Sequence, residues 1–197
     1  MFSPDRAAFQ KAAASGANLI PLAHSWPADL ETPLTTWIKV GAGRPPGVLL
    51  ESVEGGETLG RWSVIACDPL WTASARGDRL TRQWRDGTSD VHQGNPFDGL
   101  RQHLTPYRCA NLPGLPPLGQ LYGMWGYELI QWIEPTVPIH PQDDSSPPDG
   151  IWMLMDGILI FDQVKRLITA VAYGDLSSGC NVETAWKSAL ERIADLR

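Results

Sequence analysis

The sequence predicts an α+β protein in which antiparallel sheets pack as a sandwich, with helices at the periphery. Glycine and proline are abundant, with 19 and 17 residues in a chain of 197. This composition favours many turns and short strands over a bundle of long helices. Short apolar runs separated by turn residues alternate with segments of helical spacing, which is the pattern of the α+β class.

The first part of the chain carries two helix starts and two extended segments. Ser3-Pro4-Asp5 combines a capping hydroxyl, a proline and an acid, which predicts a helix that runs to about Ala14. Residues 18–22 follow as a short extended piece. Thr32-Pro33 repeats the cap-plus-proline signal and predicts a second short helix. The compact apolar run Val48–Leu50 is a predicted strand.

The next segments predict three strands and a helix. Trp62–Ala66 is a compact apolar run. Leu70–Ala75 and Arg79–Trp84 are separated by Arg76-Gly77-Asp78, which is typical of a hairpin turn. Because Arg79–Trp84 has no clean apolar face, we expect it to be an exposed or edge strand. Asn95-Pro96 gives the helix-start signal a third time.

The following strands are apolar and closely spaced. Gly119–Gly126 predicts a strand of small and aromatic residues, and Tyr127–Ile133 predicts a helical turn after it. Ile151–Asp162 is nearly all apolar and predicts one buried strand, in which Asp156 marks a turn or bulge. Val164–Tyr173 is expected to pair with that strand across a tight turn.

The last segment, Asn181–Arg197, predicts a helix. Val182, Trp186, Leu190 and Ile193 recur at helical spacing, and charged residues lie on the opposite face. The nine tryptophans of the chain predict large aromatic contacts or an interface.

Charge, hydropathy and cysteine usage exclude several classes of function. The net charge of −6 argues against a nucleic-acid binder, which needs a basic face. No apolar run approaches the roughly 18–20 residues that cross a bilayer, and the first residues lack the apolar core of a signal peptide. Cys67, Cys109 and Cys180 are widely spaced, which favours free thiols. We therefore expect a cytoplasmic protein with no membrane and no nucleic-acid partner.

The sequence contains no catalytic or metal-binding constellation. His24, His92, His103 and His140 are scattered and none has metal-ligand spacing. A phosphate-binding loop and a nucleophile elbow are both absent. We therefore predict no catalytic residue and no metal ligand in this chain.

One segment suggests a binding site. Glu51 and Ser52 come directly after the apolar run that ends at Leu50, and a glycine-rich acidic turn leads on to Arg61. A carboxylate at the end of a buried strand is costly unless it is paired. Its partner is either Arg61, as a structural ion pair, or the ammonium group of a ligand.

Three segments carry a family resemblance. They are LLESVEGGETLGRWSVIACDP (Leu49–Pro69), LGQLYGMWGYELIQWIE (Leu118–Glu134) and PPDGIWMLMDGILIFDQVKRLITAVAY (Pro147–Tyr173). In order and spacing they resemble the inhibitor-binding segment, the second N-terminal motif and the paired-strand segment of anthranilate synthase component I. The second motif is usually GGxxGYxxYDxxRxxE, from which this chain departs at Gln120, Met124, Glu128 and Gln131.

The resemblance extends over nearly the whole chain, which implies a domain assignment. Residues 1–197 would form the N-terminal, regulatory domain. The C-terminal chorismate-binding domain of the family, with its catalytic and magnesium-binding residues, has no counterpart in this sequence. We therefore expect the isolated chain to be catalytically inactive and to need no cofactor of its own.

The resemblance also implies a ligand and its site. L-tryptophan, the feedback inhibitor of the family, would bind at Leu50, Glu51 and Ser52. The Ser52 hydroxyl would hydrogen-bond the head group, and Glu51 would pair with the ammonium group. Leu49, Leu50 or a neighbouring strand would form an apolar wall for the indole ring.

The whole enzyme would convert chorismate and glutamine-derived ammonia into anthranilate and pyruvate. It would use Mg²⁺ bound by the missing domain, together with a glutamine amidotransferase subunit. One alternative is component I of 4-amino-4-deoxychorismate synthase, whose N-terminal domain is similar. A second is a stand-alone amino-acid-binding or scaffold module that never carried a catalytic domain.

Overall fold

The chain forms two compact units, each with its own sheet. The computed structural model describes residues 2–42, 44, 46–51, 60–115, 119–138 and 145–197. The first unit comprises Met1–Pro69, Pro106–Leu118 and Met155–Arg197, and the second comprises Leu70–Thr105 and Gly119–Leu154. Both sheets are antiparallel and helices accompany them, so the predicted α+β class is confirmed.

The elements are numbered here along the described parts of the chain. The strands are β1 (Phe2–Ser3), β2 (Leu19–Pro27), β3 (Gly47–Leu50), β4 (Trp62–Cys67), β5 (Trp71–Arg76), β6 (Arg79–Trp84), β7 (Ser89–Gln93), β8 (Leu121–Trp125), β9 (Gly150–Leu154), β10 (Gly157–Asp162) and β11 (Leu167–Asp175). The helices are α1 (Arg6–Ala14), α2 (Pro33–Gly41), α3 (Pro96–Leu104), the 3₁₀ helix Tyr127–Trp132 and α4 (Val182–Leu196).

Each unit contains one antiparallel sheet with its own strand order. The first unit holds a six-stranded sheet with the order β1-β2-β11-β10-β4-β3, and the second holds a five-stranded sheet with the order β7-β6-β5-β9-β8. The predicted β5–β6 hairpin and the predicted pairing of β10 with β11 are both confirmed.

Side-chain caps start the helices, as the sequence predicts. Thr32 accepts a hydrogen bond from the N–H of Thr35 at 3.1 Å, and Asn95 accepts one from the N–H of Phe97 at 3.0 Å. At the first helix the cap is Asp5, which accepts from Ala8 N–H at 2.8 Å. The expected role of the preceding Ser3-Pro4 as cap and first helical residue is therefore wrong.

The apolar segment from Ile151 to Asp162 is two strands instead of the one predicted. β9 belongs to the five-stranded sheet and β10 to the six-stranded sheet. The chain bends between them at Asp156, where the sequence predicted a turn or bulge. Both strands are apolar and largely buried, and hydrophobicity therefore does not reveal that they lie in different sheets.

The expectation that Arg79–Trp84 is an edge strand is also wrong. This segment is β6, which pairs with β5 on one side and with β7 on the other. β7 was not predicted, because its sequence, Ser89–Gln93, is polar with a single apolar residue.

Helix α4 covers one face of the six-stranded sheet. Its residues Ala189, Ile193 and Leu196 join Leu159 of β10 and Ala170 of β11 in one buried cluster. The burial of such aliphatic side chains contributes about 1.5–3 kcal/mol each. This cluster forms the core of the first unit.

Two glycines in the strands allow α4 to approach closely. A Cβ placed on Gly174 would lie 2.5 Å from Phe9 Cζ and 2.9 Å from the carbonyl oxygen of Ala185. A Cβ on Gly157 would lie 2.9 Å from both Arg192 Cγ and Leu196 Cδ1. Since real side chains do not tolerate such distances, these positions require glycine for space.

Arg192 fixes α4 to the ends of two strands. Its Nε lies 3.1 Å from Asp156 Oδ1, immediately before β10. Its Nη2 donates to the carbonyl oxygen of Cys67, the last residue of β4, at 2.9 Å. The guanidinium is nearly buried, and charge-assisted hydrogen bonds of this kind are stronger than neutral ones.

An ion pair closes the opposite end of the same strands. Asp162, at the end of β10, receives Arg61 Nε at 3.0 Å and Arg61 Nη2 at 2.6 Å. Its Oδ1 also accepts from the N–H groups of Val164 and Lys165 in the turn to β11. Burial alone raises the pKa of the Asp162 carboxyl, but the hydrogen bonds from Arg61 and Lys165 outweigh it. The pKa therefore lies below its ordinary value of 3.8.

Two further findings bear on the expectations from composition. All three cysteines are free thiols, as predicted. Among the described residues, no helix is long and apolar enough to span a membrane.

The close approach of α4 predicts the effect of Gly174→Ala. The added methyl group would collide with Phe9 and with the backbone of Ala185, so we expect the free energy of unfolding to fall by about 1–3 kcal/mol. Urea denaturation of the chain measures this change. Gly119→Ala is the matched control, since the nearest atom to its Cβ is 4.0 Å away. Equal effects of the two substitutions would contradict the packing argument.

The ion pair at Asp162 predicts a dependence of stability on pH. The pKa of Asp162 is lower in the folded chain than in the unfolded chain. The contribution of the ion pair to stability is therefore complete when the pH lies above the pKa of the unfolded chain, and it is lost as the pH falls through the pKa of the folded chain. We expect Asp162→Asn to lower the free energy of unfolding by about 1–3 kcal/mol near pH 7 and by progressively less as the pH falls below 3.8. Asp29→Asn, at an exposed carboxylate, is the control; a pH-independent loss in Asp162→Asn would refute the assignment.

Candidate functional site

Two of the three residues predicted to bind a ligand, Leu50 and Glu51, lie at the end of β3. Leu50 is the last residue of this strand, and Glu51 follows it directly. β3 is the edge strand of the six-stranded sheet and pairs only with β4 among the described residues. Ser52 lies outside the described part of the chain, so its predicted role stays a prediction.

Leu50 contributes to an apolar surface on one face of the sheet. It pairs with Val64 of β4, and Val64 pairs in turn with Ile160 of β10. Residues that face each other across neighbouring strands share one face of a sheet, so these three side chains lie in a row. Trp62, two residues before Val64, lies on the same face because side chains alternate along a strand.

Leu49 lies on the opposite face. It pairs with Ile65 and packs against the buried cluster that α4 covers. Of the two leucines considered for the apolar wall, only Leu50 lies on the accessible face, and half of its surface is exposed.

The environment of Glu51 differs from the expectation. The sequence predicted a carboxylate at the end of a buried strand, but β3 is a partly exposed edge strand and Glu51 is exposed. The desolvation cost that was expected to demand a partner is therefore small. Glu51 makes no ion pair with another described residue, so this carboxylate has no cation beside it in the described chain.

Arg61 pairs with Asp162 in place of Glu51. Its guanidinium makes the two-pronged contact with Asp162 described above and stacks 4.4 Å from the centre of the Trp62 ring. A bidentate carboxylate pair and a cation–π contact together hold the guanidinium in one orientation. The ion pair between Arg61 and Glu51, which the sequence left open, is not found.

Sequence reasoning did not identify Asp162 as part of this region. Trp62 pairs with Asp162 across β4 and β10, so the register of these strands brings Arg61 to the carboxylate. The signal in the sequence is the acid at the end of an apolar strand, directly before the turn. The sequence alone does not show that β4 is the neighbour of β10, and the Arg61–Asp162 pair was missed for this reason.

The arrangement suits the recognition of an amino acid. An exposed carboxylate without a cation beside it can accept an ammonium group, and Leu50 with Val64 offers an apolar surface for a side chain. Among residues with described positions, no group of three or more His, Cys, Asp or Glu could hold a metal ion.

The histidines that were considered as metal ligands occupy separate places. His103 lies on α3 with its Nε2 3.7 Å from Asp90 Oδ1. Burial, followed by the nearby Arg82 charge, lowers the pKa of His103. His24 is on β2 of the other unit, and His140 lies outside the described residues.

Comparison with known proteins shows which proteins the chain is similar to. No protein-family model matches it. It is 50% identical to "Anthranilate synthase component 1" of Synechocystis sp., over 100% of this chain and 39% of that protein. The proteins of the same name from Pseudomonas aeruginosa and Cereibacter sphaeroides are 33% and 32% identical, over 98% and 95% of this chain. The chain spans only 39% and 38% of their lengths.

A solved structure supports the same relation. The crystal structure of anthranilate synthase component I from Streptococcus pneumoniae matches with a TM-score of 0.52 and 25% identity. The match covers 86% of this chain and 35% of that one. Over its whole length the chain is therefore a homologue of the N-terminal part of anthranilate synthase component 1.

Proposed function

We propose that this chain is the tryptophan-sensing, N-terminal part of an anthranilate synthase component 1. The observation that carries the proposal is the similarity of this chain, over essentially its whole length, to proteins of that name. The chain makes up less than two-fifths of the length of those proteins. Residues 1–197 form the regulatory part. The remainder of the polypeptide binds chorismate and Mg²⁺, and a separate glutamine amidotransferase subunit supplies ammonia.

The reaction of the whole enzyme is the conversion of chorismate and ammonia into anthranilate and pyruvate. The names of the relatives favour this reaction over the formation of 4-amino-4-deoxychorismate. The relatives are also more than twice as long as the matched segment, which disfavours a stand-alone binding module. Magnesium chemistry belongs to the remainder of the enzyme, and this chain contributes ligand recognition.

L-tryptophan binds at the end of β3. The Glu51 carboxylate pairs with its ammonium group, and Ser52 hydrogen-bonds the head group. The indole ring packs on the surface formed by Leu50 and Val64. Support comes from the exposed Glu51 carboxylate, which makes no ion pair with the residues that the structure describes, and from the exposed half of Leu50 next to it. Arg61 is held by Asp162 and does not compete for the carboxylate.

Inhibition follows from a difference in affinity between two states of the enzyme. A ligand shifts a conformational equilibrium only as far as it binds one state more tightly than the other. L-tryptophan binds the less active state more tightly, so it lowers the rate without contacting the reacting atoms.

The assignment of catalysis to the remainder of the polypeptide predicts the activity of the isolated chain. The isolated chain is expected to form no anthranilate from chorismate, ammonium and Mg²⁺, since the proposal assigns the catalytic groups to the remainder of the polypeptide. A hybrid protein, in which this chain replaces the matching segment of the Synechocystis sp. relative, is expected to be active. The fluorescence of anthranilate measures both. Turnover by the isolated chain would refute the assignment of catalysis to the remainder.

The ligand site predicts a loss of feedback inhibition. In the hybrid protein, Glu51→Gln and Ser52→Ala are each expected to raise the concentration of L-tryptophan for half-inhibition about 10-fold or more, because each removes a hydrogen bond to a charged group. Turnover without tryptophan should change little. Asp29→Asn removes an exposed carboxylate elsewhere in the first unit and serves as the control. Unchanged inhibition in both site variants would show that tryptophan binds elsewhere.

A further inference from the structure

The first unit contains a cavity on the sheet face that α4 does not cover. The cavity has a volume of about 190 Å³, and all of its lining residues belong to this unit. Strands β1, β2 and β11 contribute Ser3, Ala23, Ser25 and Thr169, and residues 112–115 contribute the rest. None of these lining residues, which all lie in the described part of the chain, carries a charge. The lining therefore indicates an uncharged occupant, because an unpaired buried charge is costly.

Strand alternation places Ala23 and Thr169 at the base of the cavity. Leu22 belongs to the cluster that α4 covers and Trp26 packs against it, so Ala23 and Ser25 lie on the opposite face of β2. Thr169 pairs with Ser25 across β2 and β11 and therefore shares this face. Ala23 and Thr169 are each only 6% exposed, whereas Ser25 is exposed. The cavity therefore has a buried base and opens to solvent beside Ser25.

A pair of hydroxyl groups supplies polar contacts in the cavity. Ser25 Oγ lies 2.8 Å from Thr169 Oγ1, and either atom can be the donor. A hydroxyl group has one O–H donor and two acceptor lone pairs. The bond between the two hydroxyls uses a single donor and a single lone pair, so the pair can still exchange hydrogen bonds with a third hydroxyl group. A molecule in the cavity that carries a hydroxyl group can therefore bind this pair as donor or as acceptor.

Leucine side chains supply the apolar wall of the cavity. Leu112 and Leu115 are partly buried, whereas Pro113 and Gly114 between them are exposed. The two leucines therefore turn towards the cavity, while the tip of this turn faces solvent. An apolar cavity of about 150 Å³ accommodates benzene. The present cavity is slightly larger, so it has room for a six-membered ring with one small substituent.

We infer that this cavity binds a small uncharged molecule in which a six-membered carbon ring carries one hydroxyl group, such as a phenol. The ring lies against Ala23, Leu112 and Leu115, and its hydroxyl group bonds the pair formed by Ser25 and Thr169. An apolar lining with a few well-placed polar groups is the usual composition of a small-molecule site. The inference does not depend on the proposed function.

The cavity is separate from the candidate tryptophan site. Thr169, Ile160, Val64 and Leu50 form one cross-strand row over β11, β10, β4 and β3. Three strand spacings separate Thr169 from Leu50, which corresponds to about 14 Å. Ile160 lies between them and is only 1% exposed, so the accessible surface is interrupted between the two. A phenol in the cavity and L-tryptophan at β3 can therefore bind at the same time.

Calorimetric titration of the 197-residue chain with phenol tests the inference. We expect a dissociation constant of about 1 mM or less, since a ligand of this size makes few contacts. Benzene, which lacks the hydroxyl group, should bind at least about 3-fold more weakly, and the charged benzoate at least about 10-fold more weakly. In NMR spectra the methyl signals of Ala23 and Thr169 should shift with phenol. Absence of binding at about 10 mM phenol would show a cavity that holds only water, and would overturn the inference.

A double variant tests the hydroxyl contact. Ser25→Ala with Thr169→Val replaces both members of the pair by apolar groups, which leaves no buried hydroxyl unpaired and is expected to preserve the fold. Phenol should then bind no more tightly than benzene. Ser74→Ala with Thr81→Val is the matched control, since it removes a cross-strand Ser–Thr pair of β5 and β6 in the second unit. A preference for phenol that survives in the first double variant would contradict the contact.

A substitution in the apolar wall keeps the inference falsifiable if the double variant does not fold. Leu115→Ala removes part of this wall, so it is expected to weaken the binding of both phenol and benzene about 5-fold or more. Leu30→Ala is the control, because Leu30 is 93% exposed and does not line the cavity. Equal effects of the two variants would place phenol elsewhere on the chain and would overturn the inference.

Competition with L-tryptophan distinguishes the cavity from the site at β3. A saturating concentration of L-tryptophan should leave the affinity of the chain for phenol unchanged. Competition between the two ligands would assign phenol to the β3 site and would overturn the inference. Inhibition of the hybrid protein by L-tryptophan, without any binding of phenol to the chain, would also overturn it but would leave the proposed function intact.

Discussion

The structure of the first unit depends on the close approach of α4 to the central strands of its sheet. β10 and β11 are buried along nearly their whole length, so their apolar side chains need a cover. The helix provides it on one face, and Gly157 and Gly174 leave the space for the helix. The Arg192 guanidinium then ties the helix to the start of β10 and the end of β4. A segment late in the chain thereby fixes strands that occur much earlier.

The positions of the strands next to β10 determine where the candidate site lies. β4 pairs with β10, and β3 pairs with β4. Leu50 therefore ends an outermost strand, two strands away from β10, and Glu51 follows it directly. The Arg61–Asp162 pair holds the beginning of β4 against the end of β10. The site therefore combines a fixed inner part with a carboxylate that is exposed at the edge. An edge position suits a regulatory ligand, because its neighbours can rearrange without disturbing the core.

Local chemistry explains which elements are predictable from the sequence. Thr32 and Asn95 cap their helices as predicted, since a cap is a contact within a few residues. The sheet assignment of β9 and β10 was not predictable, because two buried apolar strands look alike whichever sheet they join. β6 was mistaken for an edge because its neighbour β7 is polar, and Glu51 was expected to be buried because the edge position of β3 is a long-range property. For the site, the residues alone indicated an acid that needs a cation; only the family resemblance implied tryptophan.

The most direct test of the account is a crystal structure of the hybrid protein with L-tryptophan. We expect the ammonium group within hydrogen-bond distance of the Glu51 carboxylate, with the indole ring against Leu50 and Val64. Arg61 should remain paired with Asp162. A ligand bound away from β3, or a Glu51 carboxylate paired with a lysine or arginine of the remaining polypeptide, would contradict the assignment of this chain as the tryptophan sensor.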